Sequence, residues 1–406
     1  MTDRRFTWAE FFSYGFRPFF LFAFTFAALS MAAWLAWIGL HAMNGQVLRP
    51  TIAIAPHEWH AHEMLFGYTL AAITGFFLTA VPNWTSSKPV HGPILALLSA
   101  VWLIGRAAIW FSAYLPAFVV AALDLAFIPL LLLLVAKALF QRWAPRNFVF
   151  VPILTLLFIA NALAHAQWTG LLNGVSGTAY RLALDTIVLL IAIIGGRVVP
   201  AFTTNALRRE GHEILPVSRK PLDILSVASI AILIVAELIE PHGPVAGTVA
   251  LVAAVANAIR LAGWRGLQTL GEPIVWVLHL AYAWLVAGLA FKAAAHFGML
   301  SEATAIHALT VGAAGSMTLA VMTRAALGHT GRALKVGPMI TAAYLLISVS
   351  AITRIAVPAW LPQFYNEGMV AAGGLWMLAY AIVAVVYWPI LTLPRISARA
   401  AASGDA

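Results

Sequence analysis

The sequence predicts an all-α protein that crosses a membrane twelve times. Three observations carry this. Hydrophobic residues make up 62% of the 406 positions and charged residues only 10%, against about a quarter charged in soluble domains. Apolar runs long enough to cross about 30 Å of hydrocarbon recur along the whole chain. The basic residues gather in every second connection, as the positive-inside rule requires.

The runs fall at 19–40, 59–81, 93–112, 116–140, 148–168, 178–199, 221–240, 244–264, 273–297, 302–327, 336–357 and 365–391, within one membrane domain covering 1–406. Pro18, Pro93, Pro116, Pro221, Pro244 and Pro273 mark span starts, where proline's missing N–H costs nothing. With an inside N-terminus, 19 of the 24 Lys and Arg residues fall inside, from Arg4 and Arg5 through Arg142 to Arg399. Arg49, Arg181, Lys292 and Arg354 fall outside, and Arg106 lies within the third span. Both termini are therefore expected in the cytoplasm. The connections are short and leave no room for a soluble domain. The formal net charge of +9 is that of inside loops and does not point to nucleic acid.

There is no cysteine. That excludes disulfides, thiolate ligands, iron–sulfur clusters and covalent haem attachment. A metal or haem must be held by His, carboxylate, Met or Tyr.

The second span opens on His57-Glu58-Trp59-His60-Ala61-His62-Glu63-Met64, which holds three of the twelve histidines in eight positions. Metal-competent side chains at a membrane helix mouth are expensive and mark function. At about 100° per residue, His60 and His62 face opposite sides of the helix and serve separate centres. Glu58 stands one turn from His62, as a carboxylate that orients a ligand would. His307 opens the tenth span at a similar outer depth, ahead of the small-residue run Gly312-Ala313-Ala314-Gly315. Small residues admit either a macrocycle or a neighbouring helix. His60, His62, His307 and the deeper His279 are the candidate haem axial ligands. Arg106, Arg181 and Lys292 are candidate partners for haem propionates, which need cationic donors when buried. His57, His165, Glu58 and Glu63 are candidate ligands of a separate metal. Structural readings stand beside each: a solvated His57, a core His279 bonded to a carbonyl, and isolated ion pairs such as Arg181 with Asp185 at i, i+4.

Spans 2, 6 and 10 align without gaps so that His62 meets Tyr180 and His307, and Thr79 meets Arg197 and Arg324. This suits an arrangement of three four-helix repeats.

Five stretches resemble the NnrS family: Tyr14-Gly15-Phe16-Arg17-Pro18; Pro56 through Gly67 with its exit Pro82-Asn83-Trp84; Gly195-Gly196-Arg197-Val198-Val199-Pro200-Ala201-Phe202-Thr203; His279-Leu280-Ala281-Tyr282-Ala283-Trp284; and His307 through Arg332. The resemblance implies a bacterial inner-membrane protein linked to nitric oxide and denitrification, containing haem and copper. A more distant likeness is to the haem–copper oxidase superfamily, whose twelve helices form three arcs of four. That superfamily places copper or non-haem iron on histidines of helices 6 and 7. Spans 6 and 7 here carry none, so a binuclear centre would need other residues.

The expected function is therefore that of a protein with one or two b-type haems, and copper as a further candidate, that binds or reduces nitric oxide. Its electrons would come from a periplasmic or quinol donor. The alternative is a transporter or metal permease using the same outer histidines.

Overall fold

The computed structural model describes residues 5–42, 51–141 and 145–396. Arg4, Arg49, Arg142 and Arg399, used in the charge count, lie outside the described residues.

Among the described residues there is no strand, and twelve helices are long and apolar enough to cross a membrane. They are α1 (Phe16–His41), α2 (Pro56–Thr85), α3 (Gly92–Trp110), α4 (Ala117–Gln141), α5 (Phe150–Trp168), α6 (Ser176–Arg209), α7 (Lys220–Ile239), α8 (Pro244–Ala262), α9 (Pro273–His296), α10 (Glu302–His329), α11 (Pro338–Trp360) and α12 (Pro362–Thr392). Most ends fall within three residues of the predicted ones. The largest difference is α6, which runs ten residues past the predicted stop. Its continuation after Pro200 carries Thr203, Thr204, Asn205, Arg208 and Arg209, so hydropathy ends where the helix does not.

Three local departures shape the helices. Pro129 has no N–H to offer the carbonyl of Leu125, and α4 breaks at Ala126, two residues after Asp124. In α2 the α-helix ends at His62 and is π-helical over Glu63–Thr69. In α10 it ends at His307 and is π-helical over Ala308–Gly315. Such segments are frequent at functional sites. No corresponding segment interrupts α6.

The chain divides into two compact units: Met1–Ala183 with Met322–Ala333 and Tyr380–Ala406, and Leu184–Val321 with Leu334–Ala379. In the first, α1 and α2 pack closely. A Cβ at Gly75 would strike Phe20, and one at Gly67 would strike Phe26. Arg17 ties down the end of α12, donating to Leu391 O (3.0 Å) and Leu393 O (2.8 Å), while its other nitrogen meets Glu10 (2.5 Å). The Tyr68 and Tyr380 hydroxyls are hydrogen-bonded.

In the second unit Arg260 is the central pin. It donates to Asp223 Oδ1 (2.6 Å), Ala192 O (2.9 Å) and Tyr282 Oη (3.0 Å), and Tyr282 in turn donates to Asn257 Oδ1 (2.5 Å). The guanidinium lies where a side chain at position 196 would stand, and the Tyr282 ring where one at 195 would. The Gly195-Gly196 pair is thus the seat of this pin.

Candidate metal centre

The histidine cluster at the mouth of α2 divides as helical geometry requires. His60 turns to α1 and stacks on Trp34 (ring centroids 4.6 Å, 16°). That stack continues through Trp37 (5.2 Å) to His41 (5.3 Å). His62 turns the other way, into the first unit, and is wholly buried (0% exposed). His57 is exposed.

Three helices close around His62 of α2. α3 contributes Arg106 and Trp110, α4 contributes Asp124, and α5 contributes Asn161, His165 and Trp168. The helices approach because glycine stands at the contacts. A Cβ at Gly105 would come within 3.2 Å of Asp124 Oδ1, and one at Gly67 within 3.3 Å of Arg106 Nη1.

His62 Nδ1 is 3.0 Å from Glu63 Oε1, and its Nε2 is 2.9 Å from Asn161 Oδ1 and 3.3 Å from Asp124 Oδ2. His165 Nε2 reaches the same Asp124 oxygen at 2.8 Å, and Asn161 Nδ2 donates to it at 2.8 Å. Arg106 bridges the two carboxylates, donating to Glu63 Oε1 and to Asp124 Oδ1. Trp110 Nε1 donates to the other Glu63 oxygen at 2.8 Å. Trp168 closes the site against both imidazoles, with centroids 4.9 Å from His62 and 5.0 Å from His165. Its Nε1 donates to Glu58 at 2.8 Å.

Two consequences follow from this geometry. Asn161 gives its N–H to Asp124, so its carbonyl oxygen faces His62. Both nitrogens of His62 then face acceptors: Glu63 on one side, Asn161 and Asp124 on the other. A neutral imidazole has one N–H and can satisfy only one side. A second proton, on the ring or on a facing carboxyl, or a cation at Nε2 must satisfy the other side. Charge counting agrees. Glu63 and Asp124 carry two negative charges against the one positive charge of Arg106, leaving one cation equivalent to be supplied in a buried site.

His62, Asp124 and His165 are all buried, and each offers a donor atom within 4.8 Å of the others. With bonds of about 2.1 Å, neighbouring ligands in an octahedral shell stand about 3 Å apart. The 3.3 Å from His62 Nε2 to Asp124 Oδ2 and the 2.8 Å from His165 Nε2 bracket that spacing. Two imidazoles and one carboxylate form a donor set suited to iron(II) and related divalent ions with open positions. The Glu63 contact to Nδ1 is what orients a ligating imidazole and presents Nε2 to a metal.

The remaining sequence candidates are placed as follows. Arg106 is held by Glu63 and Asp124. Lys292 is held by Asp185 and by Glu237 Oε2 (3.0 Å). Arg181 is half-buried, its guanidinium beside Gly177 one turn back on α6. Glu58 accepts from Trp168, and its backbone oxygen accepts from Tyr180 (3.1 Å).

In the second unit His307 Nδ1 donates to Ala303 O at 2.7 Å, which turns Nε2 into the acceptor nitrogen. The small residues after it receive tryptophans: Gly312 seats Trp284, and Gly315 seats Trp376. Thr203 donates to Val199 O (2.8 Å) and so accepts from His279 Nε2 (2.7 Å). His279 Nδ1 is left as a bare, buried lone pair. His279 lies near the opposite end of α9 from His296, and His307 lies in the second turn of α10. At 1.5 Å per residue, the two stand about 18 Å apart along the spans and cannot share one iron.

Asp124 and Asn161 were not expected as site residues. Asp124 is the single acid of a 25-residue apolar span. Asn161 precedes His165 by one helical turn.

The fold and this cluster define a multi-pass, all-helical membrane protein with a buried histidine–carboxylate site able to hold a metal ion. The chain belongs to the NnrS family, whose sequence profile, described as NnrS protein, matches residues 10–395. Among curated proteins none matches the chain.

Proposed function

We propose that this chain is a metal- and haem-binding protein of the bacterial inner membrane, with both termini cytoplasmic, that binds nitric oxide and reduces it. The nitric oxide link comes with the family. The observation on this chain that supports the chemistry is the convergence of His62, Asp124 and His165 on one point that lacks a positive charge. A redox-active ion there supplies open coordination positions for a small ligand. Glu63 orients His62, Arg106 holds the Asp124 carboxylate toward the donors, and Trp168 and Trp110 shut out water.

A b-type haem is the second part of the reading. His307 has the tautomer an axial ligand needs, fixed by Ala303 O. His279 Nδ1 offers a second bare nitrogen at the other end of the span. Joining two nitric oxide molecules to nitrous oxide and water consumes two protons and two electrons, the latter from a periplasmic or quinol donor. A metal permease is the weaker reading, because His62 is sealed from every side.

The test is metal analysis with optical and paramagnetic resonance spectra of purified protein, reduced, with and without nitric oxide. The expected result is a tightly held ion lost in Asp124→Asn and His165→Ala, a b-type spectrum lost in His307→Ala, and a nitric oxide adduct. Protein purified at full yield with neither ion nor haem would overturn the reading.

A further inference from the structure

The second unit holds another buried cluster of acids and bases, and its chemistry differs. Asp185 of α6, Glu237 of α7, and Lys292 and His296 of α9 are connected in series. His296 Nε2 is 2.7 Å from Glu237 Oε1, Glu237 Oε2 is 3.0 Å from Lys292 Nζ, and Lys292 donates to Asp185 Oδ1. Asp185 and Glu237 thus share the one ammonium of Lys292. Asp185 is 2% exposed and Glu237 5%.

Two buried carboxylates gathered on one ammonium carry one negative charge in excess, so one further positive charge is needed. His296, in contact with Glu237, is the base through which it can arrive. Here the ammonium fills the centre, which leaves no place for a metal. The missing charge is a proton.

The charged groups on the surrounding helices are these. From α6 comes Asp185, while Arg181, one turn ahead, turns its guanidinium back to Gly177. From α7 comes Glu237, with Glu240 beyond it at the exposed end. From α8 comes Gly247, against which the His296 Cβ packs (3.0 Å from a Cβ built there), and α8 has no charged residue before Arg260 at its far end. α10 carries Glu302 and His307 in its first two turns.

His296 ends α9, while Lys292 lies one turn deeper. Its Nδ1 is buried and has no partner in the protein, so its lone pair or N–H is available to an incoming water. The four side chains thus run from the mouth of the helix inward.

We propose that Asp185, Glu237, Lys292 and His296 form a proton-storing relay that takes protons from water at the outer mouth of α9 and holds one of them on the Asp185 and Glu237 pair. The relay stands on residues of the second unit alone. Its failure and the failure of the metal reading are separate events.

The test is infrared spectroscopy of the full chain in lipid nanodiscs at neutral pH. The wild type should show the carbonyl stretch of a protonated carboxylic acid that shifts in heavy water. Asp185→Asn and Glu237→Gln should each abolish it, since either change leaves one carboxylate matched by one ammonium. Lys292→Met should raise its intensity about twofold, because two buried acids without a cation need two protons. His296→Phe should keep the band and slow its hydrogen–deuterium exchange at least tenfold. Absence of the band in wild type, or a band that survives both acid substitutions, overturns the proposal. Unchanged exchange in His296→Phe overturns the relay.

Discussion

His62 and His165 set their rings nearly perpendicular, 83° apart with centroids separated by 5.6 Å, and each turns Nε2 toward the same oxygen of Asp124. The two histidines come from helices a hundred residues apart in sequence. What unites them is the single carboxylate of α4. Removing that carboxylate therefore removes the point of convergence and not just one ligand of three.

The first prediction concerns the orienting acid. Glu63 touches Nδ1 of His62 and contributes no donor atom to the convergence point. Glu63→Gln should keep a metal ion but weaken its binding by about 10- to 100-fold, the usual cost of losing such a partner. Asp124→Asn should cost more. Competitive chelator titration of the purified protein checks both. Equal losses in the two variants would mean that Glu63 is itself a ligand.

The second prediction is a pH dependence with a definite sign. A proton and a metal ion compete for the same lone pair on His62 Nε2, because Nδ1 already faces Glu63. Metal affinity should fall steadily as the buffer is made acidic, and metal uptake should release protons. Calorimetry in two buffers of different ionisation enthalpy measures the protons released. No release would place the metal elsewhere.

The third prediction concerns Arg106, which lies between Glu63 and Asp124. Arg106→Leu leaves two carboxylates facing each other in a buried site. Breaking a buried pair in this way costs about 3–5 kcal/mol. Adding Glu63→Gln to Arg106→Leu should recover part of that loss, because it removes one of the uncompensated charges. Chemical unfolding in detergent, with the single and double variants compared, measures the recovery. A double variant as unstable as the sum of the two singles would refute the charge account.

The sequence made the twelve spans visible because apolar runs and the Lys/Arg bias are local, additive signals. It also separated His60 from His62, since the 100° step between residues needs no tertiary information. The partners of His62 were hidden for the opposite reason. Asp124 and Asn161 become neighbours of His62 only when α4 and α5 pack on α2, and nothing in their own spans says so. Arg106 and Lys292 read as candidate propionate partners, and the structure shows each held between two acids. The π-helical turns after His62 and His307 left no trace either, because a single widened turn does not change an apolar run.

The last prediction turns on the Gly195-Gly196 pair, one of the stretches that carried the family resemblance. A methyl at position 196 would land in the Arg260 guanidinium. The arginine must then move, and it gives up bonds to Ala192 O, Tyr282 and Asp223 together, since one planar group makes all three. Gly196→Ala should therefore destabilise the protein by about 1–3 kcal/mol, the range for an overpacked core. Helix propensity alone argues the other way, because alanine is favoured over glycine by about 1 kcal/mol inside a helix. Gly374 in α12 separates the two effects: a methyl there meets nothing within 4 Å. Gly374→Ala should be neutral or stabilising while Gly196→Ala is destabilising, as read by unfolding midpoints of both variants in the same detergent. If Gly196→Ala were as stable as Gly374→Ala, Arg260 would not be the pin that joins α6 to α7, α8 and α9.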